Sequence, residues 1–131
     1  MMSCSIINAS GVSFGAYETH ATTSLDSTGA VTFRCTGVSP SDVISIQLGR
    51  GDADTFLPRA MTCRDSRLDY NLFLDAARTL VWGDGTSGTS AYTLHPIDGQ
   101  LVSVSIFGRV PPRQNVSPGL YSDVIVLTVL Y

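Results

Sequence analysis

The chain has 131 residues, enough for one domain with a real core and too few for two of ordinary size. Hydrophobic residues make up 44% of it, yet no apolar run reaches the length of about 18 residues that a membrane span needs, and neither a span nor a disordered chain fits. A net charge of −3, eight basic residues that are all arginine, and no lysine argue against a nucleic-acid partner and exclude Schiff-base and phosphate-loop lysine chemistry.

Ser, Thr, Val, Gly and Asp stand where helices would use Glu, Lys and Ala, and apolar residues alternate with polar ones between Gly, Pro, Asn, Asp and Ser clusters. In chain order, Ser5 to Phe14 reads as a first strand interrupted near Asn8 to Gly11. Ala30 to Cys35 sets Val31, Phe33 and Cys35 on an inner face, and Asp42 to Leu48 does the same with Ile44, Ile46 and Leu48. Arg67 to Asp75 opposes Leu68, Tyr70, Leu72 and Leu74 to Asp69, Asn71, Phe73 and Asp75, followed by a turn around Asp75 to Arg78. Leu101 to Val110 offers Val102, Val104 and Ile106, and Leu120 to Tyr131 closes the chain. Long excursions such as Gly49 to Arg59 and Gly83 to Ser90 suit a two-sheet, immunoglobulin-like sandwich better than a meander. The whole chain, 1–131, is expected to form this single domain.

The last segment breaks the alternation. Val124, Val126 and Leu130 fall on one face, and Ile125, Leu127 and Val129 on the other, with Thr128 alone polar. A strand apolar on both faces expects cover on both sides or a partner along its edge. It is either a central strand beneath loops or an assembly site.

Isolated motifs carry less. Arg50, Gly51 and Asp52 spell an integrin-type tripeptide in a Gly- and Asp-rich turn, where chance accounts for it. Asp52, Asp54 and Asp84 lack the spacing of a helix-loop-helix calcium site. His20 and His95 have no nucleophile elbow and no zinc spacing beside them, and Asp69 with Asp75 reads as a solvated strand face rather than a pair of glycosidase acids. Asn8 with Ser10 and Asn115 with Ser117 fit turns as well as glycosylation. No catalytic residue, metal or cofactor is therefore assigned. Three cysteines (Cys4, Cys35, Cys63) point outside the cytoplasm, and one of them must stay unpaired within a monomer.

One ordered set of residues carries a family likeness: Val12, Ser13, Phe14, Gly15, Ala16 and Tyr17; Cys35; Arg59, Ala60 and Met61; Leu68 through Asp75; Trp82, Gly83, Asp84 and Gly85; Phe107 through Pro111 with Gln114; and Gly119 through Asp123. From Cys4 to Tyr131 this set resembles the spore coat protein U domain, whose family includes subunits of archaic chaperone-usher pili. The resemblance implies an incomplete immunoglobulin-like sandwich lacking its last strand, held by a periplasmic chaperone and completed by a strand from a neighbouring subunit. Cys4 and Cys35 match the family's disulfide, and Cys63 is left as a buried thiol, an intermolecular link or a competing partner. Val124, Ile125, Val126, Leu127, Val129 and Leu130 would border the acceptor groove.

The implied function is a non-enzymatic coat or fibre subunit, secreted through the periplasm to the cell surface and serving adhesion and biofilm formation. Only Met1, Met2 and Ser3 precede Cys4, so no donor segment is visible. This fits a trimmed chain, a tip adhesin domain or a coat protein assembled differently. As a tip domain it would touch abiotic or cell surfaces with apolar loops built from Phe56, Leu57, Pro58, Leu94, Pro96, Ile97, Pro111 and Pro112. The alternative from another class is a self-contained sandwich binding carbohydrate through Trp82 and neighbouring acids.

Overall fold

A computed structural model describes residues 1–131. It contains eight strands and no helix: β1 (Ser3–Ser10), β2 (Leu25–Thr36), β3 (Ile44–Leu48), β4 (Arg59–Cys63), β5 (Ser66–Phe73), β6 (Tyr92–Leu94), β7 (Leu101–Val110) and β8 (Leu127–Leu130). Five of them form an antiparallel sheet in the order β1-β2-β7-β5-β4, and three form a second in the order β6-β3-β8.

The long pair β2 and β7 is the spine of the larger sheet, in unbroken register from Leu25 opposite Val110 to Arg34 opposite Leu101. Its alternation works as the sequence suggests. Val31, Phe33 and Cys35 face inward from β2, Val104 and Ile106 from β7, and Leu68, Tyr70 and Leu72 from β5. They meet Ile44, Ile46 and Leu48 from the smaller sheet in one core. Period-2 patterning and packing agree, which is what fixes register when one face is buried. Gly108 is required where Val12 and Phe14 fold over β7, because a Cβ there would lie 2.7 Å from both side chains.

Several expectations are corrected. β1 runs from Ser3 and carries its irregularity between Ile6 and Asn8, while Val12 and Phe14 lie beyond the strand and pack on Gly108. β4 and β6 are additional strands; β4 does not alternate, since Arg59, Ala60 and Met61 are all buried, and β6 is only three residues long. The closing strand is confined to Leu127–Leu130. Upstream, the chain divides its hydrogen bonds among three neighbours instead of following one: Gly119 bridges Tyr17, Ser122 bridges Thr62 of β4, and the Val126 carbonyl accepts from Gly49 N–H. That segment crosses from the edge of the larger sheet to the edge of the smaller. Finally, Asn71, expected outward, is buried.

Cys4 and Cys35, directly opposite each other in the β1–β2 ladder, are joined by a disulfide, and Cys63 carries a free thiol at partial exposure.

Candidate functional site

Where a complete sandwich would be closed, this one is open. β1 has a neighbour only in β2, and β8 has one only in β3, so each sheet ends in an unpaired edge. A groove of about 420 Å³ is walled on one side by residues 9–15 and on the other by Leu120 to Asp123, Ile125 and Leu127. Its floor is core: Val31, Leu48, Met61, Leu72 and Ile106, with Tyr70. An unpaired edge beside a trough of apolar side chains offers both halves of what an extended chain needs, ladder hydrogen bonds and pockets for every second residue.

The structure divides the six residues of the apolar terminal segment. Ile125 and Leu127 line the groove and Val129 packs against the core, whereas Val124, Val126 and Leu130 stand on the outer face, at 74%, 68% and 47% exposure.

One wall is held by a single carboxylate. Asp123 Oδ1 accepts the N–H groups of Asp52 and Val124, both at 2.9 Å, and Oδ2 accepts the Tyr70 hydroxyl at 2.6 Å. Gly51 has a left-handed φ of 76° and lies so close that a Cβ would meet Asp123 Oδ2 at 2.2 Å, so the Arg50–Gly51–Asp52 turn is shaped around this carboxylate. Burial, and next the bond to Asp123, push the Tyr70 phenol far above its usual range and keep it a donor. The neighbouring arginine is also engaged: Arg50 lies 5.0 Å over the Phe56 ring and 3.8 Å from Asp54.

Beside the groove, β4 is tied to the smaller sheet by Arg59, whose side chain is wholly buried. Its Nε donates to Gly49 O at 2.9 Å, and Nη1 donates to Asn71 Oδ1 at 2.9 Å. Nη2 donates to the carbonyls of Trp82, Gly49 and Leu48 at 2.6, 2.7 and 3.3 Å. Asn71 Nδ2 passes the connection to Phe56 O, and the Phe56 ring lies 5.2 Å from the guanidinium. Burial lowers the Arg59 pKa, and the five hydrogen bonds are what make a buried cation tolerable without an ion pair. An isolated Arg in a sequence reads as surface, so this clasp had no signal beyond the Arg59, Ala60, Met61 motif.

Two expectations fail here. Trp82 is completely buried, its indole N–H donates to Ile46 O at 2.9 Å, and its ring packs on Tyr92; it cannot offer a face to a sugar. Phe56 (4% exposed) and Pro96 are buried and are removed from the candidate adhesive loops. The remainder do not gather. Ile97 and partly buried Leu94 lie near the Leu101 end of β7 and Pro111 and Pro112 beyond its Val110 end, ten residues away, while Leu57 and Pro58 precede the edge strand β4. Asp52, Asp54 and Asp84 are not drawn into a cluster that could hold a metal ion.

Two facing antiparallel sheets with crossing connections define an immunoglobulin-like sandwich. The Spore Coat Protein U domain model matches residues 1–128, and the chain belongs to that family. It is similar to Protein U of Myxococcus xanthus, 33% identical over 144 aligned positions covering 98% of this chain and 77% of that protein. Among solved structures it is similar to one from the CsuC-CsuE chaperone-tip adhesion subunit pre-assembly complex of the archaic chaperone-usher Csu pili of Acinetobacter baumannii. The TM-score is 0.67 at 19% identity, with all of this chain aligned. The chain spans 40% of the length of that neighbour.

Proposed function

We propose that this chain is a structural subunit of a secreted surface fibre or coat, assembled by accepting a strand from a partner. The coarse part, a coat or pilus subunit, is supported by family membership and by the fold it shares with the pilus protein. The observation that carries the strand-accepting part is the apolar groove between two unpaired edges. A periplasmic chaperone would fill the groove first and a neighbouring subunit afterwards, which places the route of the chain through the periplasm to the cell surface, where it serves adhesion and biofilm formation.

The tip-adhesin version, in which loops grip an abiotic or cell surface, has less support, because the exposed apolar loop residues lie in separate places. A carbohydrate-binding module has lost its motive with the burial of Trp82.

The test is urea unfolding of the chain with and without a synthetic peptide that alternates valine and serine, followed by size exclusion of both samples. A strand that binds the folded chain raises the midpoint in proportion to the logarithm of its concentration. A midpoint that ignores the peptide at every concentration would refute the open groove.

A further inference from the structure

Asp123 is the single charged residue lining the groove. It makes no ion pair, and its bonds are unevenly shared: two N–H groups reach Oδ1, whereas only the Tyr70 hydroxyl reaches Oδ2. An ionised carboxylate offers about four acceptor positions, so Oδ2 retains one. An apolar side chain laid over that oxygen would bury a charge without a partner, whereas a hydroxyl there would complete its shell.

We propose that Asp123 sets the register of the strand the groove takes up, by accepting a hydrogen bond from one hydroxyl-bearing side chain in an otherwise apolar alternating strand. This rests on the strand-accepting reading above and adds to it a chemical requirement on the partner. A purely apolar strand can slide by two residues and present the same face, because the side-chain period is two. One polar contact at a fixed place along the trough removes that degeneracy. The floor residues Val31, Leu72 and Ile106 supply area but no such mark, since any branched apolar side chain satisfies them. The Tyr70 hydroxyl occupies one acceptor position of Oδ2 and so competes with the incoming hydroxyl, while the two N–H groups on Oδ1 hold the carboxylate at the groove wall.

The experiment scans the alternating valine and serine peptide by replacing one groove-facing valine at a time with threonine, a near-isosteric change that adds only a hydroxyl. Binding to the full chain is read by fluorescence anisotropy. One position is expected to bind about tenfold tighter than the parent peptide, and the others weaker. Asp123→Asn, whose amide oxygen still serves Asp52 and Val124 while its NH₂ group replaces Oδ2, should shrink the preference at that position, because a neutral donor to the hydroxyl replaces a charged acceptor, and keep parent-peptide binding. Tyr70→Phe keeps the carboxylate and relieves Oδ2, so it should strengthen the preference at the same position; this variant carries the test if Asp123→Asn does not fold. The proposal is overturned if the parent peptide binds best to the natural chain, if the preference survives Asp123→Asn undiminished, or if Tyr70→Phe abolishes it. Failure of every peptide, parent included, would instead overturn strand acceptance itself and the proposal with it.

Discussion

The two flanks of this sandwich are built from the same sheets and behave as opposites. On the Arg59 side, one guanidinium ties β4, Asn71 of β5, the end of β3 and the Trp82 segment together with five hydrogen bonds. On the groove side, residues 9–15 and the segment from Leu120 to Leu127 enclose an apolar trough, with one carboxylate holding the wall. The contrast teaches how a fold can lack a strand and still keep its shape. Directional polar bonds, which specify geometry without needing a full complement of neighbours, are concentrated where the structure is closed. The open side is left to apolar contacts that another chain can complete.

The largest effect should come from breaking the closed side. Arg59→Met takes the guanidinium donor from the carbonyls of Leu48, Gly49 and Trp82 and leaves the Asn71 amide oxygen with only the Leu72 N–H. It should cost about 3 to 5 kcal/mol in urea unfolding, enough to erase most of the chain's stability. A loss within experimental error would show that the clasp is dispensable and the contrast false.

A second pair of substitutions sharpens the comparison. Leu68→Ala, in the shared core at 1% exposure, should cost about 2 to 5 kcal/mol whether or not a strand peptide is bound. Ile125→Ala, at the groove wall, should cost less than Leu68→Ala in the empty chain, because Ile125 is only partly buried there. It should remove a substantial part of the midpoint gain that the peptide gives. Equal costs for Ile125→Ala with and without peptide would mean that the strand does not touch this wall.

The smallest effect is a pH dependence on the closed side. Asp75 caps the turn that returns the chain from β5 to Trp82; the Thr79 hydroxyl first, and the N–H groups of Leu80 and Thr79 after it, hold its carboxyl down at about 2 against an ordinary 3.8. The unfolded chain therefore takes up the proton first as pH falls. The stabilisation is complete above the ordinary value and disappears on acidification towards 2. Asp75→Asn should flatten that part of the acid-unfolding curve and leave the neutral midpoint slightly lower. An unchanged acid limb would remove Asp75 from the account.

Strands with one wet face were legible in the sequence: the inward sets of β2, β3 and β7 lie where alternation puts them, since burial of one face is the cause of the alternation. What escaped did so for identifiable reasons. β4 is buried on successive residues, one of them an arginine, and such a segment has no period to detect. Asn71 sits at an outward position by parity but turns in to serve Arg59, a tertiary contact that local pattern cannot foresee. The apolar terminal segment signalled that something must cover it, and Ile125 and Leu127 line the groove. It could not signal that Val124 and Val126 would face outward before any strand begins. Asp123 was visible only as part of a motif; its place at the groove wall depends on Tyr70 and the Gly51 turn, far away in sequence.

The Cys4–Cys35 bond also has a mechanical meaning. The two residues are 31 positions apart and face each other across the first pair of strands. A pull applied ahead of Cys4 reaches β2 through the sulfur bridge, without drawing out β1 or residues 11–15 of the groove wall. About 100 Å of contour length is thereby kept from unravelling under load. Under the proposed function, a fibre under load would not lengthen between Cys4 and Cys35, while the groove would stay free to take up its strand.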